Sequence, residues 1–263
     1  MKKKNRFLVI GLCFCLTICT LSISGMTFAA EQPGSQTMHA AANPSITITN
    51  ATEGNLKNLV DKELGGSNYE EITSLTVSGK LNETDFNFIC DNMKKLQSLV
   101  LRQTDVSGDL SRMKDLADLT NVDLWSTKVS GDLKSLAGLT KMEKLNLNGI
   151  NNNITGDLSS LEGMTKLQEL ALGSPQITGN LSSIKEFPDL QKLIMDHTKL
   201  SGDLSALSDL DTTNPKLSSL DLGATQVSGE LNNLNWSHVK IIYLTDTQIS
   251  GELTNLSGLK SLE

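Results

Sequence analysis

The stretch VSGDLSRMKDLADLTNVDL, residues 106–124, is a unit that recurs along this chain of 263 residues. It returns as VSGDLKSLAGLTKMEKLNL at 129–147, as ITGDLSSLEGMTKLQELAL at 154–172 and as ITGNLSSIKEFPDLQKLIM at 177–195. A further copy, LSGDLSALSDL at 200–210, runs on through an insertion, and shorter matches begin at Val77, Val227 and Ile249. One short structural unit is therefore rewritten many times.

The apolar pair near the end of each copy predicts a short strand whose two inward side chains flank one outward residue. These pairs fall at 75/77, 99/101, 122/124, 145/147, 170/172, 193/195, 220/222 and 242/244. A period in the low twenties with the consensus L-x-x-L-x-L-x-x-T is typical of a leucine-rich repeat. The pattern predicts an α/β solenoid, a leucine-rich repeat horseshoe. Its parallel β-sheet lies on the concave face and its short helical or 3-10 turns on the convex face.

The charge of the chain limits the classes of partner that it is expected to bind. The net charge is −7, and four positive charges lie within the first six residues, so the rest of the chain carries 19 Lys and Arg against 30 Asp and Glu. A body this acidic repels phosphate backbones and anionic membranes, so we expect no nucleic-acid ligand and no polybasic membrane attachment.

Residues 1–29 have the pattern of a secretory signal peptide: a basic start, an apolar run over 7–23 and small residues at Thr27 and Ala29. An uncleaved anchor is the alternative, but the apolar run is short and interrupted by Gly11. We expect cleavage near Ala29, a secreted or cell-surface location and no stable membrane insertion afterwards. Cleavage leaves Cys90 as the single cysteine, which excludes an intrachain disulfide.

The remaining chain divides into three predicted segments. Residues 30–45 are small and polar and predict a flexible lead-in. Residues 46–96, with predicted helices at 56–64 and 84–96, form the N-terminal cap and the first repeat, and residues 97–263 form the leucine-rich repeats. The chain stops just short of the next L-x-L, so we expect an incomplete C-terminal end. Cys90 shares a helical face with Phe86 and Ile89, which predicts a buried thiol.

Two polar insertions, at 149–153 and 211–215, predict protruding loops that leave the repeat register unchanged. Trp236 lies between two repeats and predicts a packing residue. Thr104, Thr127 and three later threonines follow the strands, where we expect their hydroxyls to bond the backbone in a stacked ladder.

Catalytic and cofactor motifs are missing from the sequence, so we expect a non-enzymatic protein with no cofactor and no catalytic residues. One acidic position recurs after the Gly of each copy, which predicts a column spaced at about 4.8 Å. Its members are Asp109, Asp132, Asp157, Asn180, Asp203, Glu230 and Glu252. They either cap the turn that follows or form a line of Ca²⁺ sites. Each copy offers a single carboxylate, which favours capping and no metal.

Partner recognition is expected on the concave face, whose outward positions form two rows. One row is Val100, Asp123, Asn146, Ala171, Ile194, Asp221 and Tyr243; the other is Arg102, Trp125, Asn148, Gly173, Asp196, Gly223 and Thr245. The predicted partner-binding residues are the polar and aromatic members of these rows and their neighbours: Arg102, Asp123, Trp125, Lys144, Asn146, Asn148, Asp196, His197, Asp221 and Tyr243. Trp125 beside Arg102 is either a local stack or an anchor for a partner.

The repeats resemble those of bacterial secreted and cell-surface leucine-rich repeat proteins, a group that includes the internalin-like adhesins. The similarity covers roughly 72–263, and the turn S/T-G-D/E-L is also similar to the L-x-G-x-I turn of plant-type repeats. This resemblance implies a solenoid used to recognise proteins or host surfaces.

Three functional hypotheses follow. The first is a secreted or surface-exposed binding module that recognises a protein, for example a host or cell-surface protein, through its concave face. The second is a glycan-binding surface module, and the third is the recognition part of a larger, truncated enzyme.

Overall fold

The computed structural model describes residues 44–66, 68–149, 152–231, 236–252 and 261, which belong to one compact unit, 41–263. The predicted signal peptide, most of the lead-in and most of the segment after residue 252 lie outside the described residues. Within the described part of the chain, no helix is both long enough and apolar enough to span a bilayer.

The predicted parallel sheet is present, and we call it sheet 1. It has nine described strands, paired in chain order. They are β1 (Ser45–Ala51), β2 (Ser74–Gly79), β3 (Ser98–Val100), β5 (Asn121–Asp123), β7 (Lys144–Asn146), β9 (Glu169–Ala171), β11 (Lys192–Ile194), β13 (Ser219–Asp221) and β15 (Ile241–Tyr243). The first leucine of each predicted pair meets its counterpart in the next strand, as Leu145 meets Leu170. The predicted register is confirmed.

A second parallel sheet, which the sequence analysis did not predict, is built from the S/T-G-D segments. Sheet 2 contains seven described strands. They are β4 (Ser107–Asp109), β6 (Lys128–Asp132), β8 (Asn153–Asp157), β10 (Ile177–Asn180), β12 (Lys199–Asp203), β14 (Gln226–Glu230) and β16 (Gln248–Ser250). From β3 onward, each described repeat therefore contributes one strand to each sheet, whereas β1 and β2 have no counterpart in sheet 2.

Short helical turns of four to six residues follow five of the strands of sheet 2. They are 3-10 helices at Leu110–Met113, Leu133–Leu136, Leu158–Leu161, Leu181–Glu186 and Leu204–Leu207. Their leucines lie in the core with the inward residues of both sheets, and Leu133, Leu136 and Leu145 are each at most 1% exposed. Burying one such side chain contributes about 1.5–3 kcal/mol, so each layer is stabilised by the layers that cover it.

The column of acidic residues caps these turns, as the favoured hypothesis predicts. Asp109, Asp132, Asp157, Asn180 and Asp203 each accept the backbone N–H two residues onward at 2.8–3.0 Å. The expected direct stacking of these side chains is wrong, because sheet 2 is offset in register. Asp109 pairs with Ser130 and Asp132 with Thr155, so each of these aspartates pairs with a serine or threonine of the next repeat and not with its acidic counterpart. This offset removes the like-charge contacts that an in-line column would create.

The N-terminal segment contains both predicted helices, α1 (Leu56–Leu64) and α2, which covers Glu83–Asn92 and so ends before the predicted residue 96. Asp85, which is 2% exposed, accepts the N–H groups of Gly54, Leu56 and Asn82 at 2.8–3.0 Å. One buried carboxylate thereby joins the starts of the two helices. A further 3-10 turn covers Tyr69–Glu71.

The insertion at 211–215 does not protrude as predicted. It starts inside the helical turn α3 (Leu210–Thr213), and Asn214 is 1% exposed. The side-chain amide of Asn214 donates to the carbonyls of Ile184 and Phe187 at 3.0 and 2.8 Å, so the segment is tied to the preceding repeat. At the other insertion, residues 150 and 151 lie outside the described residues, and Asn152 is buried.

Trp236 is fully buried and its indole N–H donates to the carbonyl of Leu207 at 2.7 Å, which confirms its packing role. The threonine hydroxyls also serve the backbone, but inside their own repeat: Thr104 and Thr127 donate to the carbonyls three residues earlier at 2.7 and 2.8 Å. The structural role is confirmed, whereas the bonds do not run from layer to layer as a ladder.

Candidate functional site

The outward positions of sheet 1 form a continuous surface, which we call the strand face. Pairing aligns Val100 with Asp123, Asn146 with Ala171 and Asp221 with Tyr243, so the first predicted row exists as a row. Backbone hydrogen bonds continue beyond the strands, for example from the Gln103 N–H to the Trp125 carbonyl at 2.8 Å. The residues of the second row are therefore aligned in the same register. A third row consists of the residues before the inward pairs, Ser98, Asn121, Lys144, Glu169, Lys192, Ser219 and Ile241.

Three first-row side chains also hold the backbone of the strand face in place. One side-chain oxygen of Asp123 accepts the Trp125 N–H at 3.1 Å, and Asn146 does the same for Asn148. Asp221 accepts the Gly223 N–H at 3.0 Å. These bonds use Oδ1 of each aspartate and fix the direction in which the second row points.

The N-terminal end of the strand face carries a compact cluster of Arg102, Asp123 and Trp125. The Arg102 guanidinium carbon lies 5.3 Å from the centroid of the Trp125 ring, and its Nε lies 3.5 Å from Asp123 Oδ2. The Arg102 side chain is 51% exposed and that of Asp123 is 19% exposed. An exposed cation stacked on an indole contributes about 0.5–1 kcal/mol, enough to hold both side chains in one orientation at the surface.

The centre of the strand face is a shallow depression. Its floor is at Ala171, the smallest residue of the first row, and its walls include Asp123, Lys144, Asn146, Glu169, Lys192 and Ile194. Lys144 and Glu169 form an ion pair across neighbouring strands. The depression exists because a methyl side chain stands between the larger Asn146 and Ile194.

A polar network crosses the second row. The Asn148 amide donates to Asp196 Oδ1 at 3.1 Å, although one repeat separates the two residues. Gly173 lies between them, and a Cβ atom on it would come within 2.2 Å of the Asn148 side chain. Asp196 Oδ2 is 3.0 Å from Nδ1 of His197, whose left-handed backbone (φ 57°) belongs to the turn that leaves sheet 1. Glycine is therefore required here for Asn148 to reach Asp196.

The C-terminal end of the strand face combines acidic and apolar side chains. Asp221 lies between Ile194 on one neighbouring strand and Tyr243 on the other. Tyr243 and Ile241 are 46% and 39% exposed. Burial raises the pKa of the Asp221 carboxyl above its usual value; the Gly223 N–H acts in the opposite direction, and the charge of Asp196 adds to the rise.

The structure places all ten predicted partner-binding residues on the strand face or at its rim, but in three clusters. Arg102, Asp123 and Trp125 are one; Lys144 and Asn146 border the central depression; Asn148, Asp196, His197, Asp221 and Tyr243 lie toward the C-terminal end. Sequence reasoning did not select Glu169, Lys192 and Ile241 from the third row, or Ile194. The residue before each inward pair is the signal that would have found the three third-row residues.

Cys90 and the acidic side chains are the other groups in the described part of the chain that could carry chemistry. Cys90 is fully buried, and burial raises the pKa of its thiol to about 12, so it is present as the neutral thiol near neutral pH. Among the described residues, no group of three or more His, Cys, Asp or Glu side chains is arranged to hold a metal ion.

Solved structures share this arrangement of stacked repeats. An internalin (inlF) of Listeria monocytogenes aligns with TM-score 0.59 and 24% identity, over 75% of this chain and 54% of its own. Internalin C2 of the same organism aligns with TM-score 0.50 and 23% identity, over 80% and 90%. This is an internalin-like leucine-rich repeat fold.

Plant receptor ectodomains also have a similar leucine-rich repeat fold. The ectodomain of the Arabidopsis receptor kinase HAESA, in complex with a peptide hormone ligand, aligns with TM-score 0.62 and 26% identity, over 73% of this chain and 33% of its own. The aligned part is thus about half of the inlF chain and a third of the receptor chain. No protein-family model and no curated protein matches the sequence.

Proposed function

We propose that this chain is a secreted or surface-exposed, non-enzymatic binding module that recognises a protein partner through the strand face. The proposal includes a signal peptide at 1–29, a flexible lead-in at 30–45, an N-terminal cap with the first repeat at 46–96 and leucine-rich repeats at 97–263.

The observation that carries this proposal is the contrast between the two sheets. Sheet 2 repeats one chemistry, in which a carboxylate or amide caps a turn beside a hydroxyl of the next repeat. The strand face instead changes from repeat to repeat, from Asp123 to Ala171 to Tyr243, on a backbone of constant register. Variable side chains on a constant frame suit the recognition of one particular partner.

The chemistry of the strand face supports a protein as the partner. Trp, Tyr and Arg are the residues most often found at the centres of protein interfaces, and the strand face presents Trp125, Tyr243 and Arg102. Trp125 is already held against Arg102, so little side-chain entropy is lost when a partner covers it. The HAESA ectodomain, which shares the fold, is in complex with a peptide hormone. That precedent favours a polypeptide partner.

The test is capture of a partner from extracellular and cell-surface extracts on the immobilised secreted chain, followed by measurement of its dissociation constant. We expect Trp125→Ala and Arg102→Ala each to weaken binding of that partner at least tenfold. Arg112→Ala is the matched control, because Arg112 also pairs with an aspartate, Asp91, but lies on a turn away from the strand face. Its effect should stay within twofold.

Two results would contradict the proposal. In one, the strand-face variants bind as tightly as the native chain while Arg112→Ala binds more weakly. In the other, enzymatic removal of glycans from the captured partner abolishes binding, which would favour the glycan-binding alternative.

A further inference from the structure

The C-terminal end of the strand face is a grid of nine positions on three neighbouring strands. β11 and the residues after it contribute Lys192, Ile194 and Asp196. β13 and the residues after it contribute Ser219, Asp221 and Gly223, and β15 and the residues after it contribute Ile241, Tyr243 and Thr245. Asp221 occupies the central position. Adjacent strands lie about 4.8 Å apart, so the grid is about 10 Å wide across the strands.

The neighbours of Asp221 leave its carboxylate in a small recess. On its own strand the outward residues on either side are Ser219 and Gly223, which are small, and on the flanking strands they are Ile194 and Tyr243, which are large and apolar. Asp221 Oδ1 accepts the Gly223 N–H at 3.0 Å. Oδ2 has no hydrogen-bond or ion-pair partner among the described residues, so one oxygen is free for a ligand.

The side chains around the recess carry a net negative charge. Asp196 lies on the neighbouring strand, and both burial and the charge of Asp196 raise the pKa of Asp221. Lys192 and His197 act to lower the same pKa, but neither forms an ion pair with Asp221 in the described part of the chain. A ligand group placed here meets net negative charge.

Exposed apolar surface adjoins this charge. Ile241 and Tyr243 are the large apolar side chains most exposed to solvent among the described residues, at 39% and 46%. An aromatic ring beside a half-buried carboxylate suits a cation carried on an aliphatic stem. The stem packs on the isoleucine and tyrosine, the ring attracts the cation, and the carboxylate pairs with it.

We propose that this grid, the cation seat, binds a lysine or arginine side chain of an extended segment of the partner, with the positive group between Asp221, Asp196 and the Tyr243 ring. This inference rests on the proposed function, because it assigns the partner chemistry at one end of the same strand face. Charge complementarity selects the occupant. A carboxylate-bearing or purely apolar segment would leave Asp221 half-buried and unpaired, whereas a cationic one pairs it.

The experiment uses a displayed library of random nonapeptides, selected on the immobilised secreted chain. The best binder is then synthesised in two forms, one with its basic residue and one with that residue replaced by neutral citrulline or glutamine. Affinities are measured for the native chain and for Asp221→Asn, which keeps Oδ1 as acceptor for the Gly223 N–H. Asp115→Asn, at an exposed position between repeats, is the control with the same change in charge.

We expect lysine or arginine to be enriched in the selected peptides. Neutralising the peptide and Asp221→Asn should each weaken binding at least tenfold, and their combination should be little worse than either alone, because both changes remove the same contact. Asp196→Asn should weaken binding in the same direction, and Asp115→Asn should change it less than twofold. Affinity of the basic peptide should also fall as salt rises.

Other results overturn the inference and distinguish it from the proposed function. Peptides that bind the strand face, as shown by loss of binding with Trp125→Ala, but lack enriched basic residues or are unaffected by Asp221→Asn, refute the cation seat and leave the proposed function standing. Failure to select any binding peptide also refutes it, because the inference requires a short extended segment. The partner-capture experiment then decides the proposed function independently.

Discussion

Replacing Gly156 with alanine is expected to lower the free energy of unfolding by about 2 to 6 kcal/mol. Gly156 lies in β8 with φ +119°, a backbone conformation that residues with a Cβ rarely adopt. A Cβ there would lie 3.0 Å from both Asp132 Oδ1 and the backbone nitrogen of Leu133. Asp132 Oδ1 is the atom that caps the turn at Leu133–Leu136, accepting the Lys134 N–H at 2.9 Å.

The magnitude has two parts. An unfavourable backbone conformation costs about 1–3 kcal/mol. Forcing a methyl group into a space that is already filled costs about 1–3 kcal/mol more. The second part is large here because one of the two contacts is to backbone of the preceding repeat, which moves only if the repeat stack moves.

The assay is equilibrium urea unfolding, followed by far-ultraviolet circular dichroism and by tryptophan fluorescence; coincident curves justify a single free energy. Gly138→Ala is the control, because Gly138 is exposed, lies in an ordinary turn and would place its Cβ at least 4 Å from any neighbour. We expect the control to change stability by less than about 0.5 kcal/mol. If the two variants are equally stable, the proposed close approach of successive repeats in sheet 2 is wrong.

Three further predictions concern a buried thiol, a buried carboxylate and two carboxylates that cap turns. Cys90 should react with a thiol reagent only when the chain unfolds, since burial raises its pKa to about 12; rapid labelling of the folded protein would contradict this. Asp85→Ala should destabilise by about 3 kcal/mol and speed amide exchange in α1, because three backbone N–H groups lose one charged acceptor, whereas the exposed Glu83→Ala should not. The hydroxyl and backbone N–H of Ser111 donate to Asp109, and those of Ser205 donate to Asp203. These hydrogen bonds hold the pKa values of both carboxyl groups below their usual value. The stabilisation that these two carboxylates give the fold is therefore complete above the unfolded-state pKa of about 4 and is lost as the pH falls through the folded-state values. Replacing both aspartates with Asn should make the free energy of unfolding fall less steeply in acid. An unchanged dependence of that free energy on pH would refute the assignment.

The register of sheet 1 could be predicted from sequence because alternation has only two outcomes. Each inward pair, such as Leu145 and Leu147, leaves a single intervening residue that must face solvent, and every repeat has the same pattern. The rows of the strand face follow directly. Polar insertions do not disturb them, since Leu193 still pairs with Leu220 across the insertion at 211–215.

Sheet 2 could not be predicted in the same way. Its described strands are three to five residues long, and all of them except β16 contain a glycine at positive φ, a composition that usually indicates a turn. Gly156 is part of a strand because of its two neighbouring repeats: the following one supplies its pairing partner, Ile177, and the preceding one the close contact with Asp132. Asn214 is a similar case: a polar residue in a polar insertion is buried because two carbonyls of the previous repeat need a donor.

The positions of the candidate site residues were also predictable, but their groupings were not. The bond from Asn148 to Asp196 passes over Gly173, so it depends on a missing side chain in the intervening repeat. The recess at Asp221 depends likewise on the small residues Ser219 and Gly223 beside it. Such features arise from differences in side-chain size between neighbouring layers, which a repeat consensus averages out.

The most direct test of the strand face as the binding surface is oxidative footprinting of the purified chain with and without its captured partner. We expect Trp125 and Tyr243 to be oxidised in the free chain and protected in the complex, while buried Trp236 stays unreactive in both. Unchanged oxidation of Trp125 and Tyr243 in a saturated complex, with protection found on the turns instead, would contradict it.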